Sequence, residues 1–162
     1  MYQGGVGILV REEMQRHIKQ IELLGRRILK IIPTSQNADD PITILSTYAP
    51  HMGYTLAEKK QHWDLSQETI KQIHTTNHCV WWADANGQLR NRDRTDPTIN
   101  KIIGMNALGR TTEPRYGKNL RNICAHRDLV PMSAWRRQPR QTKHGPEDIS
   151  TWAHPCGTIK DK

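Results

Sequence analysis

At 162 residues the chain has the length of one domain and can bury a core. Only 35% of it is hydrophobic, Phe is absent and mean hydropathy is −0.77, so that core must rest on Ile, Leu, Val and five Trp. No apolar run approaches the roughly 20 residues of a membrane span. Lys and Arg outnumber Asp and Glu by 24 to 16, a formal +8, which favours polyanionic partners such as nucleic acid.

Cys79, Cys124 and Cys156 are odd in number, widely separated and without C-x-x-C spacing, so neither a disulfide scaffold nor a zinc site is expected. No signal-peptide pattern opens the sequence. An intracellular, reducing compartment is therefore expected, with the nucleus included.

Gly4-Gly5-Val6-Gly7-Ile8-Leu9-Val10 reads as a glycine-rich lead into an apolar strand. A dinucleotide fingerprint needs a strand before its glycines, so these are read as allowing close backbone packing. Met14, Ile18, Ile21 and Leu24 recur at helical spacing, although residues 17–23 also fit a short, poorly alternating strand; periodicity favours the helix. Residues 27–32 place Ile28, Lys30 and Ile32 on one side and Leu29 and Ile31 on the other, a mostly buried strand ended by Pro33.

A polar loop over residues 34–41 leads to a β-branched strand over 42–48, closed by Ala49-Pro50. Thr55 with Glu58 three residues on forms a capping box. Behind it Leu56, Trp63, Ile70 and Ile73 follow helical spacing, which predicts a helix over about 56–74.

Cys79-Val80-Trp81-Trp82 is the next strand, and the order strand, helix, strand indicates an α/β layered domain. The apolar run stops at Ala83-Asp84-Ala85-Asn86-Gly87. Asp84 and Asn86 leave the sheet on the same side if the backbone stays extended through Ala85. An Asp/Asn pair there suits a phosphate, water or metal site, yet Asp-x-Asn-Gly is also ordinary turn chemistry.

Residues 88–118 are polar and Arg-rich, a long loop with one short helix at most. Leu120, Ile123, Cys124 and Arg127 suit a helix, and residues 129–135 a strand weakened by Pro131. Residues 138–147 form another loop, and Ser150-Thr151-Trp152 is either strand or loop. Basic side chains gather at Arg90, Arg92 and Arg94, over residues 115–121 with Arg115 and Lys118, and at Arg136-Arg137 with Arg140 and Lys143. Each cluster taken alone reads as a solvated surface.

Two strand ends separated by one capped helix, Tyr48-Ala49-Pro50 and Asp84-Ala85-Asn86-Gly87, carry a resemblance that Gly4-Gly5-Val6-Gly7-Ile8, the 119–129 segment and Thr151-Trp152-Ala153-His154-Pro155 extend over essentially the whole chain. The sequence resembles the endonuclease/exonuclease/phosphatase superfamily, most closely the endonucleases of LINE (RTE-like) retrotransposons and the craniofacial development protein 2-like proteins. The resemblance implies an α/β fold, a single incomplete domain of the four-layer sandwich in which two packed mixed sheets are flanked by helices.

It also implies that Asp84 orients or deprotonates the attacking water, Asn86 holds phosphate oxygens and Tyr48 contacts the phosphate. A carboxylate in reach of water can take its proton, and amide and phenol donors favour charge growing on phosphoryl oxygens. Mg²⁺ or Mn²⁺ is the implied cofactor, since the family's ligands are hard oxygens. DNA is the implied partner, with Arg90, Arg92, Arg94, Arg115, Lys118, Arg136 and Arg137 in the loops that would meet it.

Ala83 stands where the family has Gly, Ser133-Ala134 where Asn-Thr is common, and Arg136 where an aromatic is common. The family's first metal-binding Asn and Glu precede its Gly-Gly-Val-Gly segment, and its Asp-Tyr pair and terminal Ser-Asp-His follow Thr-Trp-x-His-Pro. Those elements have no counterpart in this sequence, so the metal ligands are expected outside it. His51, His126 and His154 are read as loop or helix histidines, not substitutes. Weak or absent nuclease activity is expected of these residues alone. A non-catalytic remnant that binds nucleic acid through its basic surface, and more remotely a phosphatase of soluble esters, remain open readings.

Overall fold

The computed structural model describes residues 5–34, 41–87, 89, 96–104 and 115–132. Their elements in chain order are α1 (Glu12–Gln15), β1 (Ile18–Leu23), β2 (Ile28–Pro33), β3 (Ile42–Tyr48), α2 (Leu56–Gln72), β4 (His78–Asp84), α3 (Pro97–Ile102) and α4 (Arg115–His126). Among the described residues the strands form one four-stranded mixed sheet in the order β1-β2-β3-β4. The first two pairings are antiparallel and β3–β4 is parallel. The protein is thus α/β, as the alternation of elements indicates.

The segment read as a helix over residues 14–24 is instead one turn, α1, followed by β1. Gly25 sits at φ 76°, where a side chain is disfavoured, and the Leu24 N–H donates to the Ile28 carbonyl at 2.9 Å, closing a turn that returns the chain along itself. Sheet pairing with β2 over the length of β1 outweighs four apolar residues at helical spacing. The register shifts between Ile18 and Gln20, and this bulge accounts for the poor alternation of the segment.

The described residues of two other expected strands form none. Residues 5–10 belong to no strand, Leu9 is fully exposed, and a Cβ added at Gly5 or Gly7 would meet nothing within 4 Å, so these glycines do not serve close packing. Residues 129–131 also lie outside any strand. Asp128, at φ 50°, takes the left-handed position after α4, and the Leu129 N–H turns back to the Cys124 carbonyl at 2.9 Å. The stretch that looked extended thus begins as the cap of a helix; residues 133–135 and Ser150-Thr151-Trp152 lie outside the described residues.

β3 coincides with the expected strand, and α2 starts at the expected cap. The Thr55 hydroxyl accepts from the Glu58 N–H at 3.3 Å, and the Glu58 carboxylate accepts from the Thr55 N–H at 2.9 Å. The Thr55 hydroxyl also donates to the Glu58 carboxylate at 2.7 Å, and this bond, then that from the Thr55 N–H, holds the Glu58 carboxyl below its ordinary pKa. The buried stripe of α2 is Lys59, His62, Trp63, Ser66, Thr69 and Ile70, whereas Leu56 is exposed. Helical spacing is kept, but four of the six members are polar or charged. Ser66 and Thr69 satisfy their hydroxyls on the carbonyls of His62 and Leu65, each at 2.8 Å.

α2 and α4 pack on one face of the sheet. Leu45, Trp63, Ile70, Ile73 and Ile123 form the core there, with Cys79 and Trp81 against it. Ile99, Ile102, Ile103 and Cys124 join α3 to α4 beside Trp81. The Trp81 indole N–H donates to the Thr47 hydroxyl at 2.8 Å, which places both side chains on this helix-covered face. By strand alternation Ile21 and Leu23, Leu29 and Ile31, Ile42 and Ile44, and Val80 and Trp82 fall on the opposite face. There Ile21, Leu23, Ile42, Val80 and Trp82 are exposed. No helix among the described residues is long and apolar enough to cross a membrane.

Candidate functional site

β3 and β4 run in parallel, so their C-terminal ends lie side by side and the register sets Tyr48 against Asp84. The two motifs that follow are tied by two hydrogen bonds. The Ala49 N–H donates to the Asp84 carbonyl at 2.8 Å, and the Asn86 side-chain amide donates to the Ala49 carbonyl at 2.6 Å. Tyr48-Ala49-Pro50 and Asp84-Ala85-Asn86-Gly87, 34 or more residues apart in sequence, are thereby one structural unit. The carboxyl ends of parallel strands are where α/β sheets bind ligands, because side chains there leave the sheet unencumbered by further pairing.

The backbone does not stay extended to Asn86. Asn86 adopts φ 42°, and its N–H donates to Asp84 Oδ1 at 3.2 Å, an Asx turn. Turn chemistry and the candidate site therefore occupy the same residues. Asp84 is exposed and keeps Oδ2 without a hydrogen bond within the described residues, so that oxygen is open to water. One N–H of the Asn86 amide is spent on Ala49, which leaves the second N–H and the Oδ1 lone pairs.

Gly87 completes the turn under tight constraint. A Cβ there would lie 3.0 Å from the Gly117 nitrogen and from the Tyr116 carbonyl carbon and Cβ, so glycine is what lets the first turn of α4 abut the end of β4.

Arg27 and Tyr54 are neighbours that sequence reasoning did not single out. The Arg27 guanidinium lies 5.1 Å from the centre of the Tyr48 ring and 4.5 Å from that of Tyr54, and donates to the Tyr48 carbonyl at 3.4 Å. The Tyr48 N–H returns a bond to the Arg27 carbonyl at 3.0 Å. Both rings lie within cation–π distance, which favours the guanidinium beside Tyr48. The signals available in sequence were the arginine following the Gly25 turn and the tyrosine preceding the Thr55 cap.

Beneath this cluster His62 is buried, and desolvation, then the charge of Arg27, push its pKa down to about 4, so the ring is neutral near pH 7. Its Nε2 lies 3.5 Å from the Ser66 hydroxyl. Burial also pushes the Cys124 thiol up to about 12, with Cys79 adding in the same direction. These thiols behave as core side chains.

Of the residues assigned to nucleic-acid contact, Lys118 is exposed on α4 and Arg115 begins that helix. Arg90, Arg92, Arg94, Arg136 and Arg137 lie outside the described residues, as does the Thr151-Trp152-Ala153-His154-Pro155 motif. His51 and His126 are exposed. A Mg²⁺ site needs about six oxygens. Asp84 supplies the one carboxylate at these strand ends, and among the described residues no three His, Cys, Asp or Glu side chains come together. The set described does not fit a complete divalent-metal site. Comparison with family models, with curated protein sequences and with solved structures finds no match.

Proposed function

We propose that the chain carries the water- and phosphate-orienting part of a DNA phosphodiesterase of the endonuclease/exonuclease/phosphatase type. The observation that carries the reading is the joining of Tyr48-Ala49-Pro50 to Asp84-Ala85-Asn86-Gly87 through the Asn86 amide on the Ala49 carbonyl at 2.6 Å. Asp84, through its open oxygen, takes a proton from the attacking water. The Tyr48 hydroxyl and the second Asn86 N–H donate to the phosphoryl oxygens as charge develops on them. Arg27, stacked on Tyr48, adds a positive field beside an anionic substrate.

The finer fold belongs to the same proposal. Tyr48 and Asp84 lie at the end of the sheet face that carries exposed Ile42, Val80 and Trp82. A second sheet packed on that face would both cover the apolar side chains and supply the facing wall of the site, as in a four-layer sandwich.

Nicking of supercoiled plasmid with Mg²⁺ tests this reading, comparing this chain, a chain lengthened with its flanking reading frame, and the lengthened chain with Asp84→Ala. The lengthened chain is expected to nick, and Asp84→Ala to slow it by about 100-fold or more. Equal rates for all three would sink the assignment. A non-catalytic reading draws on α4, which carries Arg115, Lys118 and Arg121 and no acidic residue. In that case log affinity for DNA falls linearly with log salt while no nicking occurs in any chain.

A further inference from the structure

A cleft of about 220 Å³ lies between α2 and α4, lined by Lys59, Trp63, Tyr116, Asn119, Asn122 and Ile123, with the mutually paired Lys60 and Asp64 also on its wall. It belongs to the helix layer, whereas Tyr48 and Asp84 stand at the strand ends. Lys59 is the unusual member of its wall. The residue is only 7% exposed, yet among the described residues its ammonium has one hydrogen-bond acceptor, the Met52 carbonyl at 2.9 Å, and the Tyr116 ring at 5.4 Å. Among the described residues no carboxylate comes within ion-pair distance of it. Glu58 feels its charge but is committed to the Thr55 cap, and neighbouring Lys60 is paired with Asp64.

Buried charges are ordinarily paired, because desolvation costs several kcal/mol that only an opposite charge or several hydrogen bonds offset. An ammonium has three N–H donors, so Lys59 retains capacity for an anion. The rest of the wall defines what else the ligand carries. Trp63, Tyr116 and Ile123 offer flat apolar surface, and the amides of Asn119 and Asn122, one helical turn apart, offer donors and acceptors. Cavities of about 150 Å³ lodge a benzene-sized ring. The volume here therefore suits one ring with one charged substituent, and is too small for a run of nucleotides.

We propose that this cleft binds a small planar anion, a single aromatic ring bearing a carboxylate or a phosphate, with its charge on Lys59 and its ring against Trp63 and Ile123. The site is independent of phosphodiester chemistry at Asp84, and either can fail without the other.

The test is an NMR titration of the whole chain with benzoate, phenyl phosphate and neutral benzyl alcohol, each to about 10 mM, the range in which a few kcal/mol of binding is visible. Saturable shifts are expected in residues 59–64 and 116–123 with one or both anions, the tighter of the two identifying the charged group as carboxylate or phosphate. Lys59→Met should weaken binding at least tenfold and Lys59→Arg restore most of it. If Lys59→Met does not fold, Asn122→Trp, at an exposed rim position, fills the cleft and should abolish binding. No saturable shift with either anion, shifts centred on residues 84–86, equal binding of benzyl alcohol, or undiminished binding by Asn122→Trp would each overturn the proposal.

Discussion

Leu45 and Trp81 lie on the face of the sheet that α2 and α4 cover, whereas Ile21, Leu23, Val80 and Trp82 lie on the face that no described helix covers. Both faces carry apolar side chains along β3 and β4: Leu45, Cys79 and Trp81 on the covered side, interleaved with the buried Thr43 and Thr47, and Ile42, Ile44, Val80 and Trp82 on the other. Strands buried on both faces read as near-continuous apolar runs, and Cys79-Val80-Trp81-Trp82 of β4 does. The uncovered face is no less apolar than the covered one, so the faces differ chiefly in cover, which on the second face reaches Ile31 but leaves Ile42, Val80 and Trp82 exposed. It also locates the candidate site, since Tyr48 and Asp84 end the uncovered side and the neutral His62 and the buried Lys59 lie under the covered one.

The largest effect that sharpens the contrast is loss of a covered side chain. Leu45 is 1% exposed and packs among Trp63, Ile70 and Ile123, so Leu45→Ala removes buried methyl groups and leaves a cavity the helices cannot close. A loss of about 2–5 kcal/mol is expected in urea unfolding. A loss below about 1 kcal/mol would mean that the helix layer is not the core.

Next comes His62, which tests the covered face through pH. Its folded pKa, about 4, lies below the 6.5 of a free ring, so the unfolded chain takes the proton first as pH falls. The contribution is complete above pH 6.5 and is lost progressively as pH falls toward 4. At about 1.4 kcal/mol per unit, as much as ~3 kcal/mol is at stake. Glu58, held below its ordinary value by Thr55, loses its part only at lower pH. Unfolding midpoints at pH 7 and pH 4.5 should differ markedly in the parent and much less in His62→Gln. Equal sensitivity in both would show that His62 does not face a dry layer.

Gly87→Ala probes the seam where the helix layer meets the site. The added methyl would sit 3.0 Å from backbone atoms of Tyr116 and Gly117, which cannot swing aside as a flexible side chain would. Either α4 or the Asn86 turn must shift, at a cost of about 1–3 kcal/mol. Movement of the turn would appear as lost hydrogen-exchange protection of the Ala49 N–H, which is bonded to the Asp84 carbonyl.

What was legible in sequence follows the same division. β3, the Thr55–Glu58 cap and the strand–helix–strand order of β3, α2 and β4 were readable because β-branched runs and capping boxes are local signals, whereas the parallel pairing of β3 with β4 came from the structure. β2 was read as a strand, but β1 was missed because its evidence is pairing with β2 across the Gly25 turn, interrupted by a bulge, while its apolar spacing imitates a helix. In α2 the buried stripe escaped a hydropathy reading because Lys59, His62, Ser66 and Thr69 occupy it. Tyr48, Asp84 and Asn86 were singled out from their motifs, and the structure brings them to adjoining strand ends. The bond from Asn86 to Ala49, and Arg27 stacked on Tyr48, depend on strand register, which no local pattern encodes.

The smallest expected effect decides how the uncovered face is to be understood. Ile21 and Leu23 are 62% and 69% exposed on an edge strand, so replacing both with Thr keeps β propensity while removing apolar surface that the described chain does not bury. In this chain Ile21→Thr with Leu23→Thr should change unfolding free energy by less than about 1 kcal/mol, as exposed substitutions do. Apolar patches of this kind are uncommon on monomeric proteins and mark contacts with another layer or molecule. Within a two-sheet sandwich the same pair would line the second core, and the cost would rise to that of buried side chains, about 2–5 kcal/mol. Measuring the pair in this chain and in one lengthened by its flanking reading frame therefore reads out the cover directly. A small loss in the first and a large loss in the second place a further layer on this face, and equal small losses in both leave the sheet with a single covered side.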